Sequence, residues 1–159
     1  MCIIIDTNTL ASVFDQTSAN HANFKPVFDW ITSGKGKVVF GGTRYLNEIK
    51  KYAGIFNELK KKKKAIKVND NDVDSMEVEV SRKIVHADFD DQHLVALLII
   101  SRSKLICSLD ERAYKYFKHE KFFNRANKRP KIFRGSQKNR TLLIDSNIAD
   151  ICKPCQKIN

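Results

Sequence analysis

Four carboxylates in this chain stand where a sheet or a helix would present them: Asp6 after Ile3-Ile4-Ile5, Glu48 within RYLNEIK, Asp91 within ADFDDQHL and Asp110 just past KLICS. An uninterrupted β-branched run reads as a strand buried on both faces, and ligands of open α/β sheets bind beyond the carboxyl ends of such strands. From the first ten residues alone, Asp6 reads equally well as a cap on the helix that follows. Asp6 and Asp110 both follow strand-like runs, so a parallel sheet would project them from one edge. Glu48 falls just over one turn into a helix after a second run, and Asp91 opens the helix that precedes the strand leading to Asp110. Like charges gathered on one rim repel unless their pKa values rise or a cation neutralises them. An all-oxygen set without a histidine in a regular motif suits a hard ion, Mg²⁺ or Mn²⁺, which keeps several waters and leaves positions open for phosphate. Each acid also has a plainer reading. Glu48 can pair with Arg44 or Lys51 on an exposed helix face, Asp91 can serve the helix dipole, and Asp110 can be a turn residue. His86 and His93 read as structural or surface residues.

The elements that would place these acids alternate. The pattern predicts strands at 2–5, 37–40 and 104–108, with weaker strand candidates at 131–134 and 141–144. Helices are expected around 9–16 and 22–33, from Thr43 as N-cap through Ile55, over 73–85 and over 91–101. This alternation argues an α/β fold, an open, mostly parallel sheet flanked by helices.

At 159 residues and 42% hydrophobic content the chain suits one domain, burying roughly 70% of the surface its unfolded form exposes. Its longest apolar run, Leu94 to Ile100, is seven residues, against the ~20 of a membrane span. The strand-like start leaves no room for a signal peptide, and a cytoplasmic location is expected. Cys2 and Cys107 lie in apolar runs that suit reduced, packed thiols. Cys152 and Cys155 form CKPC, half of a zinc knuckle or a redox pair by spacing, though it lacks a second cysteine pair and a preceding strand.

The formal charge of +11 is concentrated: Arg112 to Arg140 holds eleven Lys or Arg and one acid, Glu120. Interleaved Tyr114, Tyr116, Phe117, Phe122, Phe123 and Phe133 suit a surface that grips phosphates and stacks bases, with Arg125, Lys128, Arg129 and Lys131 as nucleic-acid contacts. A solvated face over core aromatics is the alternative. Lys60 to Lys64 either complement a helix dipole or lie over a phosphate backbone.

Taken in order, IIIDTN, RYLNEIK, DDQHLVALLI and LICSLDERAY resemble the successive acidic motifs of the PIN-domain nucleases, the group that includes toxins of bacterial toxin–antitoxin pairs. The resemblance spans residues 1 to about 118. It implies a PIN-like domain over 1–135, followed by a C-terminal extension, 136–159, of unassigned role. It implies that Asp6, Glu48, Asp91 and Asp110 form the catalytic, metal-binding quartet, with Asn8 and Ser108 as accompanying polar groups and with Asp91 preferred to Asp88 and Asp90 because it precedes Leu94 and Ala96 at the family's spacing. The implied activity is Mg²⁺- or Mn²⁺-dependent endoribonuclease chemistry leaving 5′-phosphate and 3′-hydroxyl ends, in a toxin, a defence effector or a processing enzyme. RNA as substrate, an antitoxin protein as partner, and a homodimer are implied with it. The family often places a further acid two residues past the last metal-site Asp; this chain has Arg112. A haloacid-dehalogenase-type phosphatase needs an acid where Asn8 stands, and a receiver domain needs one after VVF. A catalytically silent module of the same fold that binds RNA or protein is the remaining alternative.

Overall fold

A computed structural model describes residues 2–155. In chain order the elements are β1 (Cys2–Ile5), α1 (Leu10–Phe14), α2 (His21–Thr32), β2 (Lys37–Phe40), α3 (Thr43–Glu48), α4 (Ala53–Lys61), β3 (Ala65–Lys67), α5 (Asp70–Lys83), α6 (Gln92–Ser101), β4 (Leu105–Cys107), α7 (Tyr114–Phe117), β5 (Lys131–Phe133) and α8 (Ser136–Asn139). The strands form one open sheet in the order β3-β2-β1-β4-β5, every neighbouring pair parallel. The α/β expectation holds, and the sheet is parallel throughout.

The central strands are wholly buried, as their continuous apolar sequences require. Helix α6 has apolar residues around most of its circumference and is buried from His93 to Leu98, packing on α5; α3 and α7 also contact α6, whereas α1 and α2 pack on each other. Helix α5 starts at Asn69, whose Oδ1 accepts from the Asn71 and Asp72 amides at 2.9 and 3.3 Å. The chain runs outward from β1 to β3 and returns to pair β4 on the other side of β1. The strand order therefore reverses between β1 and β4, and in open sheets of this kind ligands bind beyond the carboxyl ends at such a switch point.

Several local expectations change. Gly42, not Thr43, caps α3: it sits at φ +88, and a Cβ there would come 2.6 Å from Val73 Cγ1. The helix expected through Ile55 breaks after Glu48 into a 3-10 turn, Lys50–Tyr52, before α4. Strand β3 follows the lysine run directly. Within that run Lys64 is buried, its Nζ donating to the Gly34 and Gly36 carbonyls, and Lys61 pairs with Glu58 at 2.7 Å. Residues 141–144 form no strand. A 3-10 turn, Arg140–Leu142, lies beside β5, and the Leu142 carbonyl accepts from Asn147 Nδ2 at 2.7 Å.

The cysteines also part from expectation. Cys107 is a buried free thiol, but Cys2 forms a disulfide with Cys152, their Cα atoms 6.1 Å apart. Turns at Asp145–Asn147 and Asp150–Cys152 bring Ala149 and Cys152 back into the core at the start of β1, and Lys37 Nζ, at the start of β2, donates to the Pro154 carbonyl at 2.8 Å. No helix among the described residues is long and apolar enough to cross a membrane.

Candidate active site at the β1–β4 crevice

Asp6 continues β1 by one residue: its amide donates to the Cys107 carbonyl at 2.8 Å, which places its side chain beside β4. That side chain is 2% exposed. Its Oδ2 accepts from Ser108 Oγ at 2.7 Å and its Oδ1 from the Asn8 amide at 3.4 Å, so Asp6 both caps the following turn and faces β4. Ser108 Oγ in turn accepts from the Asp110 amide at 3.1 Å. One hydroxyl therefore links the two strand-end acids. The Tyr45 hydroxyl on α3 fixes the end of β1 by donating to the Ile5 carbonyl at 2.6 Å. Burial pushes the Asp6 carboxyl upward, the Ser108 and Asn8 hydrogen bonds draw it back, and the charges of Asp110 and Glu48 raise it again.

Glu48 reaches the same place from α3. Its Oε2 accepts from Thr7 Oγ1 at 3.1 Å and lies 3.2 Å from His93 Nε2; its Oε1 lies 3.4 Å from Arg44 Nε. Arg44 also donates to the Asp90 carbonyl at 2.6 Å and to Gln92 Oε1 at 3.3 Å, tying α3 to the entry of α6. Asp91 stands at the N-cap of α6, but its side chain makes no capping hydrogen bond. Burial, followed by the charges of Asp6, Asp90, Asp110 and Glu48, pushes Asp91 up to about 7. The other three predicted acids thus all act on Asp91, and Asp110 and Glu48 also act on Asp6. Asp88 is exposed, 3.7 Å from His86 Nδ1, and does not share that position; Asn8 is exposed and accepts from Thr9 Oγ1 at 2.7 Å.

Asp110 is engaged elsewhere. Arg112 donates to its Oδ1 from the backbone amide at 3.0 Å and from Nε at 3.2 Å, and to Oδ2 from Nη2 at 3.0 Å. These bonds hold the Asp110 carboxyl below the usual carboxylate range. His93 is 2% exposed; its Nε2 contact with Glu48 lacks hydrogen-bond geometry and Nδ1 has no partner. Burial draws its pKa down to about 4, so the ring is neutral at pH 7. Sequence reasoning did not assign Thr7 or His93 to the site. Their contacts with Glu48 span tens of residues, and no local spacing signals them.

The chain finds no match among protein-family models, curated proteins or solved structures. Function must therefore be argued from the site itself.

The donor chemistry fits a hard divalent ion: carboxylates only, crowded enough to hold Asp91 partly protonated near neutrality. The arrangement is not a closed cage. Among the described residues, no group of three or more His, Cys, Asp or Glu side chains is arranged to hold a metal ion. Glu48 is engaged by Thr7 and Arg44, and Asp110 by Arg112.

The basic segment divides. Lys131 opens β5, so it and the residues leading into it, Arg125, Lys128 and Arg129, enter the sheet at the end opposite the acids; all four are exposed. Tyr116, Phe117, Phe123 and Phe133 are buried, and Tyr114 and Phe122 pack half-buried against the core. These rings build the core and do not form a stacking surface. Arg134, past the carboxyl end of β5, lies over the Tyr114 ring at 5.7 Å.

Proposed function

We propose that this chain is a divalent-metal-dependent endoribonuclease. The observation that carries the reading is the placing of Asp6, Asp91 and Asp110 by strand ends and a helix start, and of Glu48 by α3, so that the charges of the other three help push Asp91 up to about 7 beside the point where the strand order reverses. The four carboxylates would hold Mg²⁺ or Mn²⁺. When bound, such an ion supplies an activated water and a counter-charge for phosphoryl oxygens. The chain's own contribution is position. Ser108 orients Asp6, Thr7 orients Glu48, and Tyr45 fixes the strand end from which Asp6 projects. Arg134 and the net charge of +11 favour a polyanionic substrate.

RNA is the substrate implied by the resemblance to PIN-domain nucleases, as are cleavage to 5′-phosphate and 3′-hydroxyl ends, a toxin or defence role, an antitoxin partner and a homodimer. The test is incubation of purified protein with a mixed RNA pool, with and without Mg²⁺ or Mn²⁺, followed by analysis of the ends. Cleavage that requires metal and is lost in Asp6→Asn supports the reading; metal-independent cleavage, or full activity in that variant, overturns it. The engagement of Asp110 by Arg112 favours a second reading, a catalytically silent RNA- or protein-binding module. That reading predicts RNA binding without turnover under any divalent ion.

A further inference from the structure

Two arginines face the acidic rim, and they are not equivalent. Arg44 is fixed through several contacts: Glu48, Glu77, Gln92 and the Asp90 carbonyl. Arg112 has one partner, Asp110, and its side chain is 71% exposed while that of Asp110 is 17% exposed. The guanidinium covers both Asp110 oxygens, the two atoms that an incoming ion would need. It also lies within the electrostatic reach of Asp90 and Asp88.

We propose that Arg112 is a built-in competitor of divalent metal at Asp110, and that its guanidinium must leave this carboxylate before Asp110 can become a ligand. The inference rests on the metal-dependent reading of the site. Such an exchange is physically accessible. The guanidinium of the pair is exposed, and its partner lies only two residues away in the chain, so water and salt screen it from one side, and a divalent ion brings twice the charge to the same oxygens. Arg112 would then set the metal concentration at which the site fills.

The test is titration of the full chain with Mn²⁺ alone, followed calorimetrically, for the wild type, Arg112→Gln and Arg112→Lys. The substituted side chain is exposed, and melting curves check that each variant is folded. Arg112→Gln should bind Mn²⁺ about three- to tenfold more tightly at low salt, with the difference closing at about 0.5 M salt. Arg112→Lys should fall between, because lysine keeps the charge and loses the two-pronged fit. In an Asp110→Asn background the Arg112→Gln change should alter affinity little. Equal Mn²⁺ affinity in wild type and Arg112→Gln overturns the proposal and leaves the metal reading standing. The same tightening in the Asp110→Asn background also overturns it, because the effect would then be one of net charge. No Mn²⁺ binding by any variant removes the metal reading itself, and the proposal with it.

Discussion

At the scale of single residues, the site stores unfavourable electrostatics that substitution should release. In the folded protein Asp91 keeps its proton until about pH 7, whereas an unfolded aspartate releases it near 3.8. Between those values the unfolded state binds fewer protons, so stability falls as pH rises through this window and stays reduced above it. Asp91→Asn cannot suffer that loss. Without metal, its unfolding free energy should match the wild type near pH 4 and exceed it increasingly up to pH 7, by on the order of 1–2 kcal/mol once solvent screening of this half-buried group is allowed for. Calorimetry across that range checks it, and a constant offset would contradict the assigned cause. Ser108→Ala should act in the opposite sense. It strips the hydroxyl from a buried carboxylate and should cost about 1.5–3 kcal/mol at pH 7, measured by denaturant unfolding, with the loss shrinking as pH falls and Asp6 takes up its proton.

At the scale of elements, what the sequence disclosed was the buried part of the sheet. Strands β1, β2 and β4 are apolar runs bounded by polar or turn residues, and burial on both faces leaves such runs few other structures. The acids were legible for the same reason, since each strand end or helix start fixes where the next residue lies. Strand β3 was hidden because Ala65-Ile66-Lys67 is a short edge strand behind five lysines, so only one side of it needs to be apolar. The break between α3 and α4 carries no glycine or proline to signal it, and Ile49, which stands at the break, is buried. Residues 141–144 offered apolar side chains but no pairing for their backbone, and a 3-10 turn satisfies it locally instead. The start of α3 is the element boundary on which the site most depends. Gly42→Ala would force a left-handed backbone and a clash with Val73, and should destabilise by about 1–3 kcal/mol. Because α3 carries Glu48 and Arg44, any Mn²⁺-induced rise in melting temperature should shrink in that variant as well.

For the whole molecule, Lys131 at the start of β5 and Asp6 and Asp110 past the ends of β1 and β4 lie at opposite ends of the sheet. Neutralising Arg125, Lys128, Arg129 and Lys131 together should weaken binding of single-stranded RNA and flatten its salt dependence, by about 0.7 log unit for each phosphate charge left without its cation. The cleavage rate at saturating RNA should be unchanged, because these side chains enter the sheet opposite the acids. A lower saturated rate would place them at the reacting phosphate. The disulfide between Cys2 and Cys152 has a separate consequence, because it closes a loop across a sequence separation of 150. On the chain-entropy account, a link of that span limits the unfolded ensemble by about 5 kcal/mol, which reduction would remove. It also makes the polypeptide between these cysteines a covalent ring. A ring cut once is still a single piece. A protease nicking the exposed 85–88 stretch between α5 and α6 should therefore yield one band of undiminished mass on a non-reducing gel and two fragments after reduction. The nicked molecule would be a circular permutant in all but its synthesis, its new ends lying just before Asp91.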